Sequence, residues 1–162
     1  MHLLLEHLHG RPAAERARLA ARLLPGEAAL AEILAEASAL LDAPELGFVF
    51  GPESLAEVAV TAPLAALGGR RILGRLDRLL VAPGRILAVD FKSHQAVPAT
   101  PERVPEGILR QMAAYRDALA AVWPGRRIEV AVLWTRVARL MPLPDALLDA
   151  ALARAVAERL EP

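Results

Sequence analysis

The chain has 162 residues, and 55% of them are hydrophobic, which favours one compact globular domain and excludes a disordered tail. It contains no cysteine, so disulfide bonds, a thiol nucleophile and a cysteine-ligated iron–sulfur cluster are excluded within this chain. Its formal net charge is zero, but residues 1–69 hold four Arg against nine acidic residues, whereas residues 70–162 hold 15 basic and 10 acidic residues.

The first 45 residues predict a helical segment. Proline and glycine residues separate three apolar stretches with helical spacing, which span residues 1–9, 13–24 and 27–41. The opening stretch is interrupted by charged and imidazole side chains, unlike a signal peptide. No apolar run reaches the roughly 18 residues that a membrane-spanning helix needs. We therefore expect a cytoplasmic protein without a membrane partner.

Three strands are predicted next, over residues 55–64, 71–81 and 85–91. Successive residues of the second strand alternate between its two faces, and the third strand is a continuous apolar run. Pro83-Gly84 between them is a turn signal. These two strands should form a hairpin that brings Asp77 and Asp90 to nearly matching levels.

The rest of the chain alternates between helix and strand. Residues 94–105 contain three prolines and predict a loop, and a helix, a strand and a closing helix are predicted over residues 106–122, 128–135 and 144–160. This order predicts one α/β domain, in which an α/β core over residues 55–162 follows the helical segment.

Asp90 is an unusual residue at the end of an apolar strand, because burying an unpaired charge is costly. Asp77 on the neighbouring strand would repel it unless a cation lay between them, and two carboxylates suit a hard divalent ion such as Mg²⁺ or Mn²⁺. Lys92 projects from the same face of the strand as Asp90. A metal ligand beside an ammonium suits phosphodiester hydrolysis, although an Asp90–Lys92 ion pair at a strand end is an alternative explanation.

Lysine is rare in this chain, since 18 of the 19 basic residues are Arg and the other is Lys92. Its compact ammonium can do chemistry that a guanidinium cannot. The basic second half of the chain agrees with a nucleic-acid partner, and also with interspersed surface charge.

Several motifs together resemble the RecB-type nucleases of the PD-(D/E)xK superfamily. They are Gly74-x-x-Asp77, Val89-Asp90-Phe91-Lys92-Ser93 and Gln111-x-x-x-Tyr115. More narrowly, the chain resembles the C-terminal nuclease domain of AddA-type helicase–nucleases, on residues 1–8, 110–115, 134–135 and 140–144. The resemblance implies a restriction-endonuclease-like core, with a central mixed β-sheet flanked by helices.

The resemblance also implies roles for individual residues. Asp77, Asp90 and the carbonyl of Phe91 would bind the metal, and His2, which the N-terminal helical segment carries, would add an imidazole ligand or contact the phosphate. Lys92 would be the catalytic lysine, and Gln111 and Tyr115 would complete the catalytic site or orient the DNA strand. Apart from the resemblance, the candidate DNA contacts are Arg75, Arg78, Ser93 and Arg110, and the first two flank Asp77 and could instead pair with nearby acids. Glu57 could be an accessory ligand or a solvated acid, and His94 a substrate contact or a loop residue.

The implied activity is that of a Mg²⁺-dependent (or Mn²⁺-dependent) endo/exodeoxyribonuclease, which acts in the processing of DNA double-strand breaks. Its partners would be single DNA strands from an unwound duplex end, an AddB-type subunit, and the helicase portion of a longer parent chain. A non-catalytic DNA-binding or assembly domain with the same fold is the alternative. A CRISPR-associated RecB-like exonuclease is disfavoured, because those enzymes commonly carry a cysteine-ligated cluster and this chain has no cysteine.

Overall fold

A five-stranded mixed sheet forms the centre of the protein. The computed structural model describes residues 1–64, 68–94 and 96–160, and its strands lie side by side in chain order. The strands are Ser54–Leu64 (β1), Arg70–Ala82 (β2), Arg85–Lys92 (β3), Arg127–Trp134 (β4) and Arg139–Pro142 (β5). β3 and β4 are parallel, and the other neighbours are antiparallel. The parallel pair requires a crossover, which the helix Glu106–Val122 (α4) provides.

Helices cover both faces of the sheet. On one face lie His2–His7 (α1), Ala13–Leu23 (α2) and Leu30–Asp42 (α3), and on the other lie α4 and Asp145–Leu160 (α5). Alternate residues of β3 supply the two cores, because successive side chains of a strand point to opposite faces. Val89 and Phe91 pack with the N-terminal helices, whereas Ile86 and Ala88 pack with α4. The predicted α/β fold, with a central mixed sheet flanked by helices, is confirmed.

Two elements differ from the sequence prediction. β5 was not predicted, because four residues ending in a proline carry no readable periodicity and form a strand only by pairing with β4. The third helix begins at Leu30 rather than at residue 27. The Glu27 carboxylate instead accepts a hydrogen bond from the Ala29 N–H, which makes Glu27 part of the preceding turn. Within the residues that the structure describes, no helix is long and apolar enough to cross a membrane.

A bidentate ion pair joins α2 to α3. Arg16 is buried, and its guanidinium donates to the two carboxylate oxygens of Asp42 over 2.9 and 2.8 Å and to the carbonyl of Arg11 over 2.8 Å. The Arg16 guanidinium holds the pKa of Asp42 below its ordinary value. The buried charge of Arg16 therefore depends on an aspartate whose own side chain is largely exposed.

We predict that Asp42→Ala lowers the free energy of unfolding by about 1 kcal/mol at neutral pH, a modest effect because solvent screens the exposed carboxylate. Because the folded-state pKa of Asp42 is lowered, its contribution is complete above the ordinary Asp pKa and is lost as the pH falls through the lowered value. Urea denaturation from neutral to acidic pH measures both effects. Glu45→Ala, at an exposed neighbouring acid, is the control, and equal curves for the two variants would contradict the prediction.

Candidate active site

The candidate site lies where β2 and β3 separate. Their ladder ends at the pair Arg78–Val89, so that the next step would pair Asp77 with Asp90. Instead, Oδ2 of Asp77 accepts a hydrogen bond from the backbone N–H of Phe91 over 2.6 Å. A carboxylate thus replaces a ladder bond, and the two acidic residues stand at the fork between the strands. The sequence prediction placed both acids at one level, and the register agrees with it.

Before this fork the even-numbered positions of β2 face α4, and after it the odd-numbered positions do. The sequence pattern did not predict this change. Leu76 and Leu79 both pack in the α4 core although they are three positions apart. Opposite Asp77, between the pairs Ala56–Arg78 and Val58–Leu76, Glu57 has a φ of 52°. A positive φ is uncommon for a residue other than glycine and marks local backbone strain. The strained backbone of β1 therefore accompanies the parity change beside the candidate site.

Asp90 and Lys92 form a buried ion pair that Gln111 of α4 completes. The Asp90 side chain is 6% exposed, and its Oδ2 lies 2.6 Å from Lys92 Nζ. Gln111 accepts from Lys92 Nζ over 3.1 Å and donates to Oδ1 of Asp90 over 3.4 Å. Burial raises the pKa of Asp90, while Lys92 opposes that shift and the charge of Asp77 adds to it. The three side chains form one hydrogen-bonded and ion-paired unit.

Tyr115 connects this unit to β2. Its hydroxyl accepts from Gln111 Nε2 and donates to the carbonyl of Arg75, each over 3.0 Å. The Tyr115 ring lies directly on the backbone of Gly74, where an added Cβ would overlap the ring. Gly74 therefore allows the close approach of α4 to β2, and this approach sets the position of Gln111.

His2 reaches the same fork from the opposite face of the sheet. It is the first residue of α1, and its Nε2 lies 3.5 Å from Oδ1 of Asp77 and 3.3 Å from the carbonyl oxygen of Phe91. The hydrogen bond with Asp77 raises the pKa of His2. The fold thus brings together the predicted ligands His2, Asp77 and the Phe91 carbonyl, although His2 and Phe91 are 89 positions apart.

The predicted DNA-contact residues have different environments. Ser93 is exposed, and the Arg75 side chain is 70% exposed and lies 3.2 Å from Glu57. Arg110 is paired with Glu106 and Glu158 between α4 and α5.

The prediction for Arg78 disagrees with the structure. This residue is 3% exposed, its guanidinium donates to the carbonyl of Leu5 over 2.6 Å, and it lies over the Phe50 ring. Arg78 therefore holds α1 against the sheet and is not available to a DNA phosphate. No local pattern predicts this burial, because Leu5 and Phe50 are both more than 25 residues away from Arg78 in the chain.

The packing around β4 also places His94. Trp134, at the end of β4, is completely buried in the core. His94 is exposed, with its ring centroid 6.1 Å from that of Trp134. Trp134 pairs with Lys92 in the β3–β4 ladder. Because His94 lies beside Trp134, it is at the end of the sheet that carries the candidate site.

The donors at the fork suit a hard divalent cation. They are the carboxylates of Asp77 and Asp90, the Phe91 carbonyl and the imidazole of His2, a set dominated by oxygen. The contact of Asp90 Oδ2 with Lys92 is an ion pair without hydrogen-bond geometry, so this buried oxygen has no hydrogen-bond donor among the described residues. Within the described ranges, no three His, Asp or Glu side chains are already close enough to form a metal site. A cation would compete with Lys92 and His2 for the carboxylates.

Comparison with models of known protein families matches residues 1–161 to the PD-(D/E)XK nuclease superfamily. A search of curated proteins found no match. The matched region includes all the residues at the fork and those of α4 that contact them.

We predict that Gly74→Ala lowers the free energy of unfolding by about 1–3 kcal/mol, because the new methyl group forces the Tyr115 ring away from β2. Thermal and urea denaturation measure this effect. Gly107→Ala is the control, since no atom lies within 4 Å of a Cβ added there. Combining Gly74→Ala with Tyr115→Ala should cost less than the sum of the single changes. Additive costs would show that the ring and the glycine are not coupled.

Proposed function

The chain belongs to the PD-(D/E)XK nuclease superfamily, and we propose that it is a deoxyribonuclease that hydrolyses DNA phosphodiester bonds with Mg²⁺ or Mn²⁺. One observation carries this proposal. At the fork between β2 and β3, Lys92 Nζ lies 2.6 Å from the Asp90 carboxylate, and Asp77 is close enough that its charge raises the pKa of Asp90. A pair formed only for stability would not require the second acid, since like charges repel there.

Asp77, Asp90, the Phe91 carbonyl and His2 are the residues that would hold the metal ion. A divalent ion in such a site lowers the pKa of a bound water and stabilises the charge that develops on the phosphate. His2 would contribute its imidazole from the opposite face of the sheet, and its Nε2, which lies 3.3 Å from the Phe91 carbonyl oxygen, would exchange that contact for the metal ion.

Lys92 is the proposed catalytic lysine, which orients the attacking water or a phosphate oxygen. Its ammonium has three N–H groups, and Asp90 and Gln111 engage at most two of them. The remaining N–H can donate to the substrate. Gln111 keeps the ammonium in position, and Tyr115 keeps Gln111 in position through the carbonyl of Arg75.

The finer proposal is a RecB-type nuclease domain of an AddA-like helicase–nuclease that processes double-strand breaks. The position of His2 on α1 supports it, because the resemblance requires an N-terminal helix to bring a histidine to the acidic residues. On this proposal residues 1–162 form a nuclease domain within a longer chain. Its proposed partners in the cytoplasm are an AddB-type subunit, the helicase portion of the same longer chain and a single DNA strand.

We expect Asp90→Asn and Lys92→Arg to abolish cleavage of labelled single-stranded DNA in variants that circular dichroism shows to be folded. The asparagine fits the same space without a metal-binding charge, and the guanidinium of arginine is larger and stays protonated. Denaturing gels with Mg²⁺, Mn²⁺ or EDTA measure cleavage.

Asp145→Asn, at an aspartate whose side chain is 75% exposed, should cut like the parent. Cutting by both site variants at the parental rate would indicate a contaminant and refute the proposed site. A folded parent that binds DNA but never cuts it with either metal would favour the non-catalytic DNA-binding domain.

His2→Ala should raise the metal concentration for half-maximal cleavage by about tenfold or more, with a smaller loss of rate at saturating metal. The reason is that His2 contributes a ligand but no catalytic proton transfer in this proposal. His7→Ala, on the same helix and 46% exposed, is the control. An unchanged metal requirement in His2→Ala would remove His2 from the ligand set.

A further inference from the structure

A row of exposed side chains extends from Asp77 along β2. Arg75, Leu73 and Arg71 occupy alternate positions and therefore share one face of the strand. The opposite face packs against α4 through Leu76 and Ile72. Leu73 is 84% exposed, a large exposure for a leucine within a strand.

The β1 residues beside this row leave it uncovered. Pro63, Thr61 and Ala59 are the partners of Arg71, Leu73 and Arg75. All three are exposed and uncharged, so they add no negative charge to the face. The N-terminal helices pack on Leu80 and on the side chains of β3 and β4, and within the described residues their core includes none of positions 70–76. We call the surface of Arg71, Leu73 and Arg75 the hairpin face.

We propose that the hairpin face binds an unpaired DNA strand and leads it to the fork between β2 and β3. This inference rests on the proposed nuclease function, and it names the surface that guides the single strand of that proposal to the site. The two arginines suit phosphates and are about 14 Å apart, since each residue of a strand adds about 3.4 Å. They therefore contact phosphates that are more than one nucleotide apart.

Leu73 is the residue that favours a single strand over a duplex. In a duplex, stacked base pairs would leave this leucine facing only the charged backbone or water. An unpaired strand offers its base faces, which bind apolar and aromatic side chains. Arg75 now pairs with Glu57 over 3.2 Å, but so exposed a pair is weak and a phosphate can replace the carboxylate.

A unique thiol tests the contact directly, because the chain has no cysteine of its own. Leu73→Cys should form a disulfide with single-stranded DNA that carries an activated disulfide tether on one base, in EDTA to prevent cutting. Unmodified single strands should compete, and duplex of the same sequence should compete much less. Val122→Cys, at an exposed position at the end of α4, is the control. Equal yields at the two positions, or equal competition by duplex, would overturn the proposal.

Binding measured by fluorescence anisotropy provides an independent test. Arg71→Ala should reduce the slope of log affinity against log salt concentration by about 0.7, the value for one phosphate contact with a single strand. Leu73→Ser should lower the affinity about fivefold or more without changing that slope. Arg18→Ala, at an exposed residue of α2, and Val122→Ser are the controls, and circular dichroism establishes that all variants fold.

The binding, cross-linking and cleavage results together distinguish a failure of the hairpin face from a failure of the proposed nuclease activity. Parental DNA binding by Arg71→Ala and Leu73→Ser, together with cleavage that still requires Asp90, overturns the hairpin face alone. Specific cross-linking at Leu73→Cys in a protein that never cuts DNA supports the hairpin face and overturns the catalytic proposal. If Leu73→Ser instead dissociates a dimer and leaves DNA binding unchanged, the face belongs to a second copy of the chain and the inference is wrong.

Discussion

The hydrogen bond from the Phe91 N–H to the Asp77 carboxylate is the interaction on which the site depends. Two neighbouring strands can separate inside a protein only if the freed backbone groups find other partners. Asp77 meets this requirement for Phe91 over 2.6 Å, and the strands separate beside the Asp90–Lys92 ion pair. The same carboxylate is a structural group and a proposed metal ligand, because the gap that it supports is also the proposed active site.

Helices on both faces of the sheet bring side chains to the fork between β2 and β3. On one side, α1 brings His2 to Asp77, and Arg78 anchors that helix through the carbonyl of Leu5. On the other side, α4 brings Gln111 to the Asp90–Lys92 pair. A sheet with helices on a single face would position only one of these groups. The close approach of α4 further depends on a residue without a side chain at position 74, since any Cβ there would overlap the Tyr115 ring.

Electrostatics distinguishes the interior of the site from the surface beside it. Inside, burial disfavours the charged form of Asp90, and Lys92 offsets that cost only in part. A buried acid that is disfavoured in this way is typical of a functional site. Outside, the hairpin face carries two exposed arginines and Leu73, which is 84% exposed. Both features agree with the proposed phosphate-containing substrate and its metal ion.

The sequence by itself determined the elements and the order of the acidic residues. Periodicity predicted α4 with its observed bounds, and the two-residue spacing placed Asp90 and Lys92 on one face of β3, because both signals depend on neighbours within a few positions. Only the tertiary structure decided that β5 forms, that the parity of β2 changes at Asp77, and that Arg78 is buried. These features depend on contacts between distant segments, such as that of Arg78 with the carbonyl of a residue 73 positions away, and no local pattern encodes them.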